Sequence, residues 1–121
     1  MGQAPTNDLR IVLLQHDLAW EDKTANQRAF TSLVADSAEP GSLVVLPELC
    51  DVGFTMQAAR AAAPSSLPWA QELAARHQVW LQAGLALSEA GQVFNAACVI
   101  GPDGAVAAIY RKTFLFSYGT E

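Results

Sequence analysis

Two residues in this chain have the types and positions that chemistry at the end of a strand requires. Glu48 follows the apolar run 43–46 and a proline, and Lys112 follows the apolar run 105–110 and an arginine. Where parallel strands make a sheet, ligands collect outside the carboxyl ends of those strands. A carboxylate placed there, after apolar residues and a rigid proline, is expected to be partly desolvated, which raises its pKa toward that of a useful general base. A solvated strand-end acid is the other reading of the same spacing. Lys112 lies between Ile109-Tyr110-Arg111 and Phe114-Leu115-Phe116. A lysine so placed either snorkels to the surface or is held in a pocket, where its ammonium stabilises a developing oxyanion. Glu121, the final residue, either pairs with Lys112 or frays.

A nucleophile to join this pair is harder to find. Cys50 is two positions after Glu48, but its neighbours Glu48 and Asp51 supply negative charge, whereas a reactive thiolate needs an electropositive, exposed setting. It reads as structural, and Cys98, alternating within an apolar run, reads as packing. His16 and His77 have no partners at ligand spacing, so a polar surface role is expected for His16. Trp20, Trp69 and Trp80 read as core or interface aromatics. Gly101 and Gly104 belong to a turn and not to a G-x-G-x-x-G fingerprint, so a dinucleotide site is unsupported. The chain reads as the first part of a catalytic domain that stops before its centre.

The elements that must position Glu48 and Lys112 can be laid out from periodicity. Residues 9–15, apolar but for Arg10 and Gln15, have the pattern of a strand buried on both faces. Residues 22–38 follow with helical spacing, Phe30, Leu33, Val34 and Ser37 sharing a face and Asp22 or Thr24 available as the cap. Pro40-Gly41 ends that helix, and 42–48 form a second buried strand that Pro47 stops. Strand, helix, strand implies a parallel pair with a right-handed crossover. Residues 49–64 read as a loop with a short alanine-rich turn, and 66–77 as a second amphipathic helix with Pro68 near its first turn. Strands at 79–87, 93–100 and 105–112, separated only by turns, are expected to pair antiparallel. The sheet is therefore mixed. Residues 1–8 are polar and read as a disordered tail, leaving 9–121 as the folded part.

Composition excludes several function classes. Among 121 residues, half are apolar and the net charge is −5, with seven scattered basic residues. That is globular, and it lacks the clustered Lys and Arg that nucleic acid requires. No apolar run reaches the length of roughly 18–20 residues that crosses a bilayer, and the first residues carry no signal-peptide pattern. Two cysteines without C-x-x-C spacing argue for no disulfide framework and no zinc site, as in the cytoplasm.

In order and spacing, these segments resemble the nitrilase or carbon–nitrogen hydrolase superfamily. The residues that carry the resemblance are LRIVLLQ at 9–15, LVVLPEL at 43–49 with GFTM at 53–56, FNAACVIGPDG at 94–104 and YRKTFLF at 110–116. The Q-x-D-L-x-W run at 15–20, Asn26 and the Gly-Thr-Glu ending are similar to the omega-amidase branch. The resemblance implies an α/β fold, the N-terminal portion of an α-β-β-α sandwich with helices on one face of a mixed sheet. It also implies a small-molecule amide substrate, no metal or organic cofactor, and homo-oligomers at full length. Glu48 matches the family's general base, Lys112 its lysine and Glu121 a second glutamate; Phe54 and Tyr110 fall near the pocket. The family's cysteine would lie beyond Glu121, so the 121-residue chain alone is expected to be inactive and poorly soluble, with the sheet's inner face exposed. A non-catalytic interaction module is the competing expectation. A flavodoxin-like binder fits less well, because three consecutive strands end the chain and no phosphate-cradling loop is present.

Overall fold

The structure, a computed structural model, describes residues 8–112. The expectations that fall on the tail 1–7, on Phe114, Leu115 and Phe116 and on Glu121 lie outside these residues. Five strands form one sheet: β1 (Ile11–Leu13), β2 (Leu43–Val45), β3 (Trp80–Glu89), β4 (Gln92–Ile100) and β5 (Val106–Arg111). Three helices interleave with them: α1 (Lys23–Ser37), α2 (Ala58–Ala62) and α3 (Leu67–His77). The strands lie in sequence order. β1, β2 and β3 run parallel, joined by helical crossovers, whereas β3, β4 and β5 run antiparallel. The sheet is thus mixed, for the reason read from the chain: helices separate the first three strands and tight turns the last three.

Local chemistry sets the element ends. The Asp22 carboxylate accepts from the Ala25 N–H at 3.0 Å and caps α1. α3 carries its proline in the first turn and ends at Gln78, whose backbone adopts the left-handed conformation at φ 55°. The β3–β4 hairpin turns through Ala90 and Gly91, at φ 49° and 81°. Two successive left-handed residues match the twist of the flanking strands. The alanine-rich stretch expected as a turn is the single-turn helix α2.

The two faces of the sheet differ. On one, Phe30 and Val34 of α1 and Ala70, Leu73 and Ala74 of α3 close over Val44, Leu81, Ala83, Leu85, Cys98 and Ile100. Each fully buried Leu or Phe here contributes roughly 1.5–3 kcal/mol relative to exposure. Of the helix face expected to pack, Ser37 is exposed instead, and Asn26, one turn before Phe30, is fully buried. On the other face the alternating residues Ile11, Leu13, Trp80 and Tyr110 stand exposed. β1 is therefore not buried on both faces. Only Val12 and Leu14 reach the core, because β1 is an edge strand and no described element lies over its other side. Trp80 and Trp20 are exposed among the described residues, while Trp69 packs against the core and donates to the Thr31 hydroxyl at 3.1 Å. His16 is half-buried, its ring edge-on to Phe30 at 5.7 Å. α2 borders the open face only at the hairpin end, where Ala61 and Ala62 pack with Val52 and Ala86.

Candidate active site

Glu48 reaches the open face because the chain beyond β2 crosses over β3. The Leu46 N–H donates to Gln82 O at 2.9 Å and the Cys50 N–H to Gly84 O at 2.9 Å, so residues 46–50 are laid along β3. The crossing is tight. A Cβ on Gly84 would lie 2.6 Å from Glu48 Cα, 2.7 Å from Pro47 O and 2.9 Å from Leu49 N. Only glycine lets the backbone of Glu48 approach so closely. Leu49 then turns at φ 47°, and its carbonyl accepts from Gly53 at 2.8 Å.

A buried polar network fixes the far side of this turn. The Asn26 carboxamide donates to Ala19 O and Asp51 O, each at 2.8 Å, and accepts from the Ala19 N–H at 2.8 Å, tying α1 to the turn. Ser66 Oγ donates to Asp51 Oδ2 at 2.6 Å and accepts from Gln27 Nε2 at 2.9 Å. The other Asp51 oxygen is buried without a partner among the described residues. Burial pushes the Asp51 carboxyl above the usual carboxylate value, and the Ser66 hydrogen bond opposes the shift.

Lys112 arrives from β5, at the opposite edge of the sheet from β1. Its N–H donates to Asn95 O at 2.9 Å, continuing the β4–β5 ladder by one rung, and its ammonium lies 3.2 Å from Glu48 Oε2. The Lys112 side chain is one-third exposed, and its ammonium pairs with Glu48. The two residues, 64 apart in sequence, share a cavity of about 400 Å³ with Gln82, Gly84, Asn95, Ala97 and Tyr110. Glu48 also borders a second, more apolar cavity of about 250 Å³ with Phe54, Met56, Ala86, Val93 and Asn95. The Glu48 side chain is 59% exposed, at a strand end on the face away from α1 and α3. Ion pairs so exposed contribute about 0–1 kcal/mol to stability, so this pair is not there chiefly to hold the fold.

Among the expected site residues, Glu48, Lys112 and Tyr110 meet in one cavity and Phe54 lines the neighbouring one; Glu121 lies outside the described residues. Cys50 is fully buried, and burial, then the adjacent Asp51 charge, push its thiol far above the ordinary cysteine value. It packs in the core, as does Cys98, whose thiol burial also raises. A larger cavity of about 520 Å³ lies away from the pair, beside Glu21, Lys23, Thr55 and Arg60. Its charged groups are already engaged: Arg60 pairs with Glu21 at 3.2 Å, Thr55 donates to Glu21, and Lys23 donates to Pro64 O. Size alone therefore does not make it the site. Sequence reasoning overlooked Gly84 and Asn95. A glycine inside a strand is the signal that another backbone comes close. A carboxamide within the otherwise apolar run 93–100 is the signal for Asn95.

The family model described as carbon-nitrogen hydrolase matches residues 10–121. Two relatives named omega-amidase YafV are similar: the Yersinia enterocolitica protein is 32% identical over 115 residues and the Escherichia coli (strain K12) protein 33% identical over 116. Each alignment covers 93% of this chain and 44% of the relative, so the chain spans less than half the length of the curated relatives it matches. Among solved structures, the CN-hydrolase superfamily protein XC1258 from Xanthomonas campestris, determined with an arsenic adduct in its active site, superposes with a TM-score of 0.82 at 32% identity. That match covers 92% of this chain and 43% of XC1258.

Proposed function

Because the chain belongs to the carbon–nitrogen hydrolase family, we propose that its open sheet face carries the Glu and Lys of a Cys-Glu-Lys centre that hydrolyses a primary amide. The observation that carries this reading is the 3.2 Å contact between Lys112 Nζ and Glu48 Oε2 at the mouth of a shared cavity. The nucleophile in this mechanism is a cysteine supplied from outside residues 1–121. Glu48 accepts the thiol proton, and the thiolate attacks the amide carbonyl. Lys112 stabilises the tetrahedral oxyanion. Collapse breaks the carbon–nitrogen bond, and the nitrogen leaves as ammonia with the proton that Glu48 took. Glu48 then takes a proton from water, which attacks the thioester and releases the carboxylic acid and the thiol. Tyr110 and Phe54 contact substrate, and Glu121 positions the lysine.

The substrate class we assign is the omega-amides of short dicarboxylic 2-oxo acids, supported by the omega-amidase names of the relatives. The test is ammonia release by the full-length protein from the omega-amide of a five-carbon 2-oxo dicarboxylate. Wild type should turn over, and Glu48→Gln should lose about 10²–10⁴-fold in kcat with its melting temperature unchanged. A Glu48→Gln variant as fast as wild type would overturn the reading. One observation favours a second reading, an interaction module: Ile11, Leu13, Trp80 and Tyr110 form an exposed apolar surface on the same face. That reading predicts a stable complex through this face that Glu48→Gln leaves intact, and no turnover.

A further inference from the structure

Asn95 stands beside the Glu48–Lys112 pair, and the mechanism above does not use it. Ala96 pairs with Arg111, and the next rung is held by the Lys112 N–H on Asn95 O at 2.9 Å, so Asn95 lies directly across the ladder from Lys112. Residues so opposed project to the same face, with Cβ atoms about 4.5–5.5 Å apart. Asn95 lines both cavities that border Glu48, whereas Gln82, the other carboxamide nearby, lines only one. It is half-buried, and its carboxamide makes no hydrogen bond to another described residue. Its place in the lining of both cavities puts this carboxamide where it can meet a ligand.

The chemistry of the three groups is complementary. An ammonium only donates and an ionised carboxylate only accepts, whereas a carboxamide offers a donor and an acceptor. A primary amide presents one carbonyl oxygen and two N–H groups. Lys112 serves the oxygen, and Glu48 is occupied with the proton of the nucleophile. The amide N–H is then left for Asn95 Oδ1. We propose that Asn95 is a specificity-determining residue that accepts a hydrogen bond from the leaving nitrogen and so selects amides over esters of the same acyl group. The proposal rests on the amide-hydrolase reading above.

The test uses the full-length protein and two probes with one acyl group: the omega-amide of a five-carbon 2-oxo dicarboxylate and the omega-methyl ester of the same acid. In Asn95→Leu, similar in size but without polar atoms, kcat/KM for the amide should fall about tenfold or more, roughly what one net hydrogen bond contributes. The ester should stay within about twofold of wild type, since it has no N–H to lose. The amide-to-ester ratio does not depend on how much of the variant is correctly folded. Asn95→Ala, which only removes atoms from a half-exposed site, must give the same collapse of the ratio. An unchanged ratio, whether both rates are kept or both fall, overturns the role of Asn95 alone. A wild-type protein that hydrolyses neither probe overturns the amide-hydrolase reading, and this proposal with it.

Discussion

The two faces of this sheet are built from alternate residues of the same strands, yet they do different things. The face under α1 and α3 holds Leu81, Leu85, Cys98 and Ile100, all fully or almost fully buried. The face opposite holds Glu48, Lys112, Asn95 and Tyr110 around a cavity, with Ile11 and Leu13 exposed beside it. The packed core therefore lies on one side of the sheet, and the proposed chemistry on the other. Gly84 is where the two meet, since it lets the end of β2 cross from the strand plane onto the open face.

The largest contrast should appear in stability. Leu81→Ala, on the covered face, should cost about 2–5 kcal/mol in denaturant unfolding. Leu13→Ala, 75% exposed on the open face, should change stability by less than about 0.5 kcal/mol. A cost at Leu13 comparable to that at Leu81 would show that the open face is covered in solution. Lys112→Met should act the other way round, lowering kcat of the full-length protein by about 10²–10³-fold, as loss of an oxyanion donor does, without a change in melting temperature. Gly84→Ala should shift Glu48 and reduce kcat by up to about 10²-fold with little change in KM, the effect of a misplacement near 1 Å.

The smallest effect lies beneath the site. Burial holds the Asp51 carboxyl above its ordinary pKa, so the folded state binds this proton more tightly than the unfolded chain does. Its contribution is fully present below the ordinary carboxylate pKa and is lost as pH rises through the folded value. Asp51→Asn should therefore flatten the decline in stability above about pH 4, read as melting temperature against pH. A slope equal to that of wild type would remove Asp51 from the explanation.

Much of this arrangement is legible in the chain. Pro47 and the turns around Gly91 and Gly104 mark where strands end, so Glu48 and Lys112 can be placed at strand ends from spacing alone. That they meet is implied by the resemblance and not by spacing, since it depends on which strands are neighbours and on a crossover of one backbone over another. The exposure of β1 is hidden too. Residues 9–15 are apolar on both sides, which reads as double burial, but burial depends on what else covers the sheet. Asn26 is overlooked by hydrophobic periodicity because its role is to satisfy three backbone groups, something only the tertiary structure supplies.

The claim that Glu48 and Lys112 work as one unit is tested most directly by a double-mutant cycle on kcat with the full-length protein, using Glu48→Gln, Lys112→Met and the double variant. Residues acting as a unit are strongly non-additive, so the double variant should be about as slow as the slower single one. If instead its loss equals the product of the two single losses, the residues act independently, and the contact between them is not the heart of a catalytic site.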